Sequence, residues 1–303
     1  GLDGGDNVGA KFIEIIRDYD LNKIVSTAKQ KHAQIYQEIE LLDQRRFVSA
    51  VASPIKREEG DGVLLTVHDL TFAHQLQVTR REFVTNVSHE LRNPLSSLKA
   101  LTEALENGGI EEPDAGSNFL QRIHREIDRM NSMVTDLLHL SRLESEQEIL
   151  NMESVKAVSF IDDVFESLKE SADGKMISLI KGKVEESLFI HADISKFRQV
   201  LINLIDNGIK FTPEMGSITV SVSTQLKATE FRIQDNGIGI APEHIPHLFE
   251  RFYKVERSRS DYGTGLGLAI AKHIIDVHSG EIKVESEEGV GTTFIVTIPF
   301  LSN

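Results

Sequence analysis

Residues 87–99 read VSHELRNPLSSLK and place four groups capable of chemistry within five positions: His89, Glu90, Arg92 and Asn93. A histidine with a carboxylate as its chain neighbour is a nucleophile arrangement. The carboxylate fixes the ring tautomer and favours the cation that forms on the ring, leaving the far nitrogen free to attack. Asn93 lies one helical turn on from His89. Taken alone, a His–Glu pair is commonly no more than two solvated side chains. The proline that follows weighs against that reading, because Pro94 removes a backbone donor and crowds the carbonyl of Glu90, and a local kink is expected there. A helix that keeps such a residue inside a regular apolar seam is deformable where another domain can dock and leave.

A second group of candidates lies far downstream, in QVLINLIDNGIKFTP (199–213). Asn203 and Asn207 are an i, i+4 pair and Lys210 follows at i+3, so one helix face carries two amide carbonyls and an ammonium. Such a face can hold Mg²⁺ and the phosphates it bridges, since magnesium prefers oxygen ligands and keeps its waters. Gly208 in mid-helix costs about 1 kcal/mol against alanine, which points to close approach of a ligand or of a neighbouring element. In QDNGIGI (234–240) a strand ends at Asp235, whose carboxylate can accept from an exocyclic amine such as that of adenine, and Gly237 and Gly239 permit a tight turn against a planar ligand. SRSDYGTGLGLAIAKHII (258–275) sets Gly263, Gly265 and Gly267 directly before an apolar helix, so backbone N–H groups and the positive helix end face an anion. No strand immediately precedes these glycines and their spacing is not G-x-G-x-x-G, which excludes a Rossmann loop, and the P-loop pattern is absent. Between the two glycine turns, PEHIPHLFERFYKVERSRSDY reads as a lid closing over phosphates.

The elements that must position these groups follow from periodicity. RRFVSAVASPI (45–55) and GVLLTVHDL (62–70) have strand character and are joined by KREEGDG, after an opening GLDGGDNVGA. Two strands make a thin core, so this segment reads as the back half of a larger α/β sensor unit. From Thr71 the period becomes helical: Val84, Val87, Leu91, Pro94, Leu98, Leu101 and Leu105 form an a/d seam, which puts His89 at position f, facing water. NGG (107–109) ends this helix, and a second carries Leu120, Ile123, Ile127, Met130, Val134, Leu137 and Ser141 at the same spacing. The two should pack as an antiparallel hairpin. Leu138 and Leu140 widen the apolar face beyond one seam, so dimerisation into a four-helix bundle is expected. From Met152 to Phe300 helices at 158–171, 193–211 and 266–278 alternate with strands at 217–224, 229–235, 280–286 and 292–299. Their alternation predicts a two-layer α/β sandwich with one polar sheet face.

Composition sets the outer limits. The 303 residues suffice for two or three domains, and 40% apolar with 26% charged residues is ordinary for a globular protein. A net charge of -14 argues against nucleic-acid binding, which wants a basic surface. Zero cysteines exclude disulfides and thiol catalysis. No window approaches the ~18 consecutive apolar residues of a membrane-spanning helix, and the N-terminus has no signal-peptide pattern.

The ordered set VSHELRNPL, NLIDNGIKFTP, DNGIG, LFERFYK and GTGLGLAI closely resembles the sensor histidine kinases of bacterial two-component systems, as their phosphoacceptor box followed by the asparagine, first glycine, phenylalanine and second glycine boxes. The resemblance covers about residues 71–300, and IRDYDLNKIVSTA with the strand pair is similar to the latter part of a PAS domain of phosphate-sensing-type kinases. The family implies an α+β multidomain protein: a partial PAS segment (1–70), a dimerising hairpin of the histidine-phosphotransfer type (71–148) and a GHKL-type ATP-binding domain (149–303). It implies that His89 is phosphorylated, that Glu90 is its general base and that Asn93, a threonine in many members, orients water during phosphatase action. Asn207 would ligate Mg²⁺, Asn203 and Lys210 would meet phosphates, and Phe211 would lie near the adenine that Asp235 recognises. Gly237, Gly239 and the run Gly263, Thr264, Gly265, Leu266 and Gly267 would form the nucleotide turns. Lys254 takes a lid position that is often arginine, and as a point charge it gives no bidentate grip. Gly208 stands for a usual alanine and Tyr262 for a further common glycine.

The expected function is autophosphorylation of His89 from Mg-ATP by a homodimer, then transfer to an aspartate of a response-regulator receiver domain, with phosphatase activity towards that regulator. The expected setting is the cytoplasmic part of an inner-membrane or cell-membrane sensor kinase, attached only through segments absent from this sequence. The rival readings are a clamp ATPase like gyrase or the heat-shock chaperones, against which His89 with Glu90 discriminates, and a scaffold or phosphatase-dominant form, against which the intact boxes argue. Leu76 and Phe83 fall one position out of phase with the later seam, a stutter-like slip that locally unwinds a coil and is where signals should cross. Deleting or inserting one residue near Arg80 should change activity sharply; indifference of the autophosphorylation rate to that change would refute this role.

Overall fold

The computed structural model describes residues 12–16, 18–41, 46–56, 62–106, 113–143, 150–225, 228–255 and 263–300. The opening GLDGGDNVGA, the middle of KREEGDG, NGG (107–109) and residues 256–262 of the stretch read as a lid lie outside these residues. The chain divides into two units, Gly1–Val87 and Ser88–Asn303.

The first unit has more core than its two legible strands imply. A short helix α1 (Phe12–Ile15) is followed by α2 (Tyr19–Lys31), and a three-stranded antiparallel sheet runs β1 (Ile35–Leu41), β2 (Arg46–Ile55) and β3 (Gly62–Asp69), in that order. Asp18 caps α2 by accepting from the Leu21 N–H at 2.9 Å. The helix buries Leu21, Ile24 and Ala28 against Ile39, Val48, Ala50 and Ala52. Helix α3 (Thr71–Ala104) starts where Thr71 accepts from the Phe47 N–H at 3.0 Å and donates its own N–H to Asp69 Oδ1 at 2.9 Å. Pro94 lies inside α3 without ending it.

In the second unit α3 is followed by α4 (Pro113–Leu143). Of the seam expected on α3, Pro94 and Leu101 are buried and Val87, Leu91, Leu98 and Leu105 half-buried, whereas Val84 keeps 57% of its surface exposed and falls outside the covered stripe. On α4 the expected seam needs correction. Met133, outside the expected set, is fully buried, whereas Leu120, Ile127 and Val134 keep 54%, 42% and 46% of their surface exposed. The element on which α4 packs is α7, so the covered stripe is not the one the heptad spacing marks.

The remaining elements are β4 (Met152–Lys156), α5 (Ala157–Gly174), β5 (Ser178–Val184), β6 (Phe189–Asp193), α6 (Ile194–Phe211), β7 (Ser217–Gln225), β8 (Ala228–Asp235), α7 (Gly267–Val277), β9 (Glu281–Glu287) and β10 (Gly291–Pro299). A five-stranded sheet has the order β5-β7-β8-β10-β9, with β4 and β6 forming a separate antiparallel pair. Among the described residues only the β5–β7 pair is parallel, which adds a mixed edge to the expected antiparallel pattern. Alternation sends Ile218, Val220, Val222, Phe231 and Ile233 inward, and leaves Arg232 on the polar face, ion-paired with Glu285 at 3.0 Å. Phe197 of α6 bridges the layers, stacked on Phe160 at 5.6 Å and edge-on to Phe231 at 4.9 Å. Among the described residues no helix is long and apolar enough to cross a membrane.

Asp193 caps the start of α6 and is buried. Its carboxylate accepts from Ser195 Oγ at 2.7 Å, from the Lys196 N–H at 3.2 Å, from the Asn151 N–H at 3.2 Å and from Lys196 Nζ at 3.3 Å. Burial alone would raise its pKa, but these donors outweigh it and hold the carboxyl at about 2. The folded value lies below the unfolded one, so this stabilisation is full above pH ~4 and is lost as pH falls towards about 2. Asp193→Asn should cost about 2 kcal/mol at neutral pH, with the gap to the parent closing between pH ~4 and ~2. Denaturant unfolding across that range checks both.

Candidate active site

Helix α6 carries the polar face and is fixed at both ends. Asp193 holds its N-terminus. At the other end Lys175 Nζ donates to the carbonyls of Ile209 and Lys210 at 2.8 Å each and of Thr212 at 3.1 Å, closing the carbonyls a helix leaves unpaired. Between these clamps Asn203, Asn207, Lys210 and Phe211 are half-buried. Asn203 accepts from Gln199 Nε2 at 2.8 Å and donates to the carbonyl of Gly267 at 2.9 Å, so it ties α6 to the start of α7. Lys210 is paired with Asp206 at 2.5 Å. Gly208 is explained by its neighbours: a Cβ there would lie 2.9 Å from Ile218 Cδ1, so the close approach is to the sheet rather than to a ligand.

The two glycine turns meet this face. The Phe211 carbonyl accepts from the Ile238 N–H at 3.2 Å, which joins the end of α6 to the first turn. Gly239 has φ +66, and a Cβ on it would overlap the Glu287 carbonyl. In the second turn Gly263 stands near Lys210, since a Cβ there would lie 3.8 Å from Lys210 Nζ. Gly265 has φ +73 and packs against the Phe252 backbone, whose N–H donates to the Gly265 carbonyl at 2.8 Å. Leu266 is fully buried, Thr264 is only 6% exposed, and Gly267 opens α7 beside Asn203.

Asp235 lies at the end of β8, half-buried. Its Oδ1 accepts from the Gly237 N–H at 2.8 Å and the Thr292 N–H at 3.1 Å. Burial raises its carboxyl, and the two N–H donors oppose that shift. Both structural bonds go to one oxygen, so Oδ2 is the oxygen a ligand donor can use.

The hairpin adds the other half. His89 and Asn93 are exposed and Glu90 is half-buried. Glu90 Oε2 accepts from Lys254 Nζ at 2.5 Å, with Arg129 Nη2 of α4 at 4.0 Å. In this arrangement Glu90 is thus held by cations from the lid and the second helix. Arg129 in turn lies 3.9 Å from Glu126. Further along α4, Asp136 accepts from Thr264 Oγ1 at 2.8 Å. Burial pushes the Asp136 carboxyl up, against the opposing effects of that hydrogen bond and of His139 and Lys210.

The sequence-derived residues of α6, the two glycine turns and Asp235 therefore converge, and Lys254 links its loop to the stretch around His89 through Glu90. Lys175, Arg129, Asp136 and Thr292 escaped the sequence reading. Lys175 and Thr292 act from other elements with no motif around them; Asp136 sits between seam positions Val134 and Leu137, where a carboxylate reads as a solvated flank.

A water-facing histidine on α3 thus accompanies an α/β domain whose polar helix face and glycine turns converge. Two family profiles match in the same order: the His Kinase A (phospho-acceptor) domain over residues 79–146, and the histidine kinase-, DNA gyrase B- and HSP90-like ATPase over residues 192–302. Sensor histidine kinase WalK of Bacillus subtilis is 38% identical over 272 residues, covering 87% of this chain and 44% of WalK. Sensor protein SrrB of Staphylococcus aureus is 36% identical over 283 residues, covering 92% of this chain and 48% of SrrB. The chain spans about half the length of these curated relatives. Among solved structures, Acinetobacter baumannii histidine kinase AdeS gives a TM-score of 0.57 at 26% identity, covering 71% of this chain and 98% of that one. Histidine kinase ThkA, solved in complex with response regulator protein TrrA, shares the fold with a TM-score of 0.61 at 21% identity, covering 98% of this chain and 89% of that one. The chain belongs to the sensor histidine kinase family.

The Asp235 geometry separates folding from recognition. Asp235→Ala leaves two buried N–H groups unpaired and should cost about 1–3 kcal/mol for each. Asp235→Asn keeps the Oδ1 acceptor and should stay within about 1 kcal/mol of the parent. Thermal and denaturant unfolding of the two variants decide the point.

Proposed function

We propose that this chain is an ATP-dependent protein-histidine kinase that phosphorylates His89 and passes the phosphoryl group to an aspartate on a response-regulator receiver domain. The observation that carries the reading is the Glu90–Lys254 contact, which brings the stretch around an exposed histidine to the lid of the ATPase-type domain. Adenine would be recognised at Asp235 Oδ2 and Phe211, and phosphates at Lys210, Thr264 and the backbone of the second glycine turn. The donor set fits magnesium held chiefly by phosphate and water: among the described residues no cluster of three acidic, histidine or cysteine ligands exists, and Asn207 offers a single amide oxygen. When bound, the ion would neutralise phosphate charge, with Asn207 as its protein ligand.

His89 supplies the nucleophile. The lone pair of its Nε2 forms the N–P bond as the bond from the γ-phosphorus to the bridging oxygen of ADP breaks, and ADP leaves with that electron pair. Glu90, once released from Lys254, holds and then takes the proton on Nδ1, which neutralises the imidazolium. In the onward step an aspartate oxygen of the regulator forms the new P–O bond while the N–P bond breaks and the ring regains its proton. Asn93, exposed one turn beyond His89, would orient water for hydrolysis of the regulator's acyl phosphate.

The stripe of Leu120, Ile127 and Val134 supports a homodimer, because a second hairpin would cover it as a four-helix bundle. Membrane attachment would come from segments outside this sequence, as part of a longer sensor kinase.

Incubation with γ-labelled ATP and Mg²⁺ should label the protein with an acid-labile, base-stable product. His89→Gln should abolish labelling while nucleotide binding persists, and Asp235→Asn should lose nucleotide binding. Labelling that survives His89→Gln would overturn the assignment.

A further inference from the structure

The end of α6 that carries Lys210 and Phe211 is held from outside the helix, where its last carbonyls lack helical partners. The Gly208 carbonyl accepts from the Thr212 N–H at 2.9 Å, and that of Phe211 from the Ile238 N–H at 3.2 Å. The carbonyls of Ile209 and Lys210, with that of Thr212 just beyond, converge instead on Lys175 Nζ at 2.8, 2.8 and 3.1 Å. Three acceptors match the three N–H donors of an ammonium. Lys175 itself stands on fixed backbone. Its N–H closes α5 on the Ala172 carbonyl at 3.1 Å, and the N–H groups of Met176 and Ile177 return to Asp173 and Ala172 at 3.0 and 2.9 Å. The acceptor side is equally confined: Ile209 and Thr212 are buried, and a Cβ on Gly237 would lie 2.7 Å from the Phe211 carbonyl oxygen. The backbone around Lys210 and Phe211 is therefore bonded both to the Lys175 ammonium and to the first glycine turn.

We propose that Lys175 is a positioning residue for the nucleotide: its ammonium serves as a built-in monovalent cation that gathers the carbonyls of Ile209, Lys210 and Thr212, and so fixes Lys210 for the phosphates and Phe211 for the adenine. The proposal rests on the nucleotide-site reading given above. Carbonyl oxygens aimed at one centre repel one another, and the negative end of the α6 dipole adds to that repulsion. A cation at the centre turns it into attraction, as carbonyl rings do around a potassium ion in a selectivity filter. Without the cation the last turn of α6 relaxes towards water, and the two residues it carries lose their setting against the glycine turns. Lys175 touches neither nucleotide nor reacting atoms and acts through the backbone alone. A cation site differs from an ordinary brace in that a free ion of the same charge can fill it. Ammonium has the N–H donors of Lys175 Nζ, and potassium takes carbonyl ligands, whereas tetramethylammonium has no donor and is too bulky to enter.

Mg-AMPPNP is titrated calorimetrically into the whole chain as parent, Lys175→Ala and Lys169→Ala, the last removing an exposed lysine of α5 and changing net charge equally. Each titration is run at one ionic strength in tetramethylammonium, ammonium or potassium chloride. In tetramethylammonium, Lys175→Ala should bind at least about fivefold more weakly than the parent, because small displacements of ligand-holding groups are costly. Ammonium or potassium should restore most of that loss, while the parent and Lys169→Ala bind alike in all three salts. Should Lys175→Ala not fold, Lys175→Met and Lys175→Arg carry the test: the neutral stem should show the same weakening and the cationic side chain should recover the affinity. Parent-like binding by Lys175→Ala in tetramethylammonium, or weakening that neither ion relieves, overturns the proposal while leaving the nucleotide site intact. So do equal weakening in Lys169→Ala, an equal salt response in the parent, or equal affinity of the Met and Arg variants. Failure of the parent to bind Mg-AMPPNP in any salt overturns the site reading and the positioning role with it.

Discussion

Everything the second unit can do depends on holding one helix, α6, at both ends. Its N-terminus is gripped by Asp193, whose backbone N–H in turn donates to His278 Nε2 at 3.0 Å, while His278 Nδ1 donates to the Ile274 carbonyl at 2.7 Å. These two bonds define a neutral imidazole with its proton on Nδ1. Its C-terminus is gripped by the ammonium of Lys175. Both ends of a helix carry unpaired backbone groups and partial charge, and here a carboxylate and an ammonium of the correct signs complete them. The polar face between the clamps therefore has a fixed phase relative to α7 and to both glycine turns.

That fixed frame explains why the site residues divide into holders and reachers. Asn203, which the family resemblance puts at the phosphates, also joins α6 to Gly267 and thereby sets where the second glycine turn begins. Asp235 does two jobs with two oxygens, one bracing Gly237 and Thr292, the other open to a ligand. Lys210 and Lys254 are the flexible members: long side chains whose charges can move between a carboxylate and a phosphate without any backbone shift. Polar groups committed to backbone bonds cost little to preorganise, whereas those paired with carboxylates can be exchanged.

Much of this was legible because periodicity records burial. The strands 217–225, 228–235 and 291–299 alternate apolar and polar residues and are half-buried, and α5, α6 and α7 each carry an apolar stripe. What escaped had no such record. MESVK and FIHAD are too short and polar to alternate clearly, SLIKGKV is broken by Gly182, and their pairing is decided by β7 and by one another. Helix α2 carries a charged outer face that masks Leu21, Ile24 and Ala28. On α4 spacing marks an apolar stripe but not what covers it, so it could not show that α4 would pack on α7 and that Met133 would be the residue buried. In the site, the motifs with glycines and asparagines were readable because backbone conformation and i, i+4 geometry are local. Lys175 and Asp136 act across long sequence separations, where a lone Lys or Asp carries no pattern.

Electrostatics then account for why so acidic a chain can carry a site for a polyanion. With a net charge of -14 the long-range field repels a triphosphate, so binding must come from short-range groups held at the end of α6 and the start of α7. Those groups are few, and the two ammonium groups among them are partly shielded from water. Pairing them with carboxylates offsets the desolvation they suffer. One carboxylate, Asp206, belongs to α6 itself and travels with the site. The others, Glu90 and Asp136, belong to the hairpin helices, so the acidity of this chain near its own nucleotide-type site also ties the two parts of the unit together.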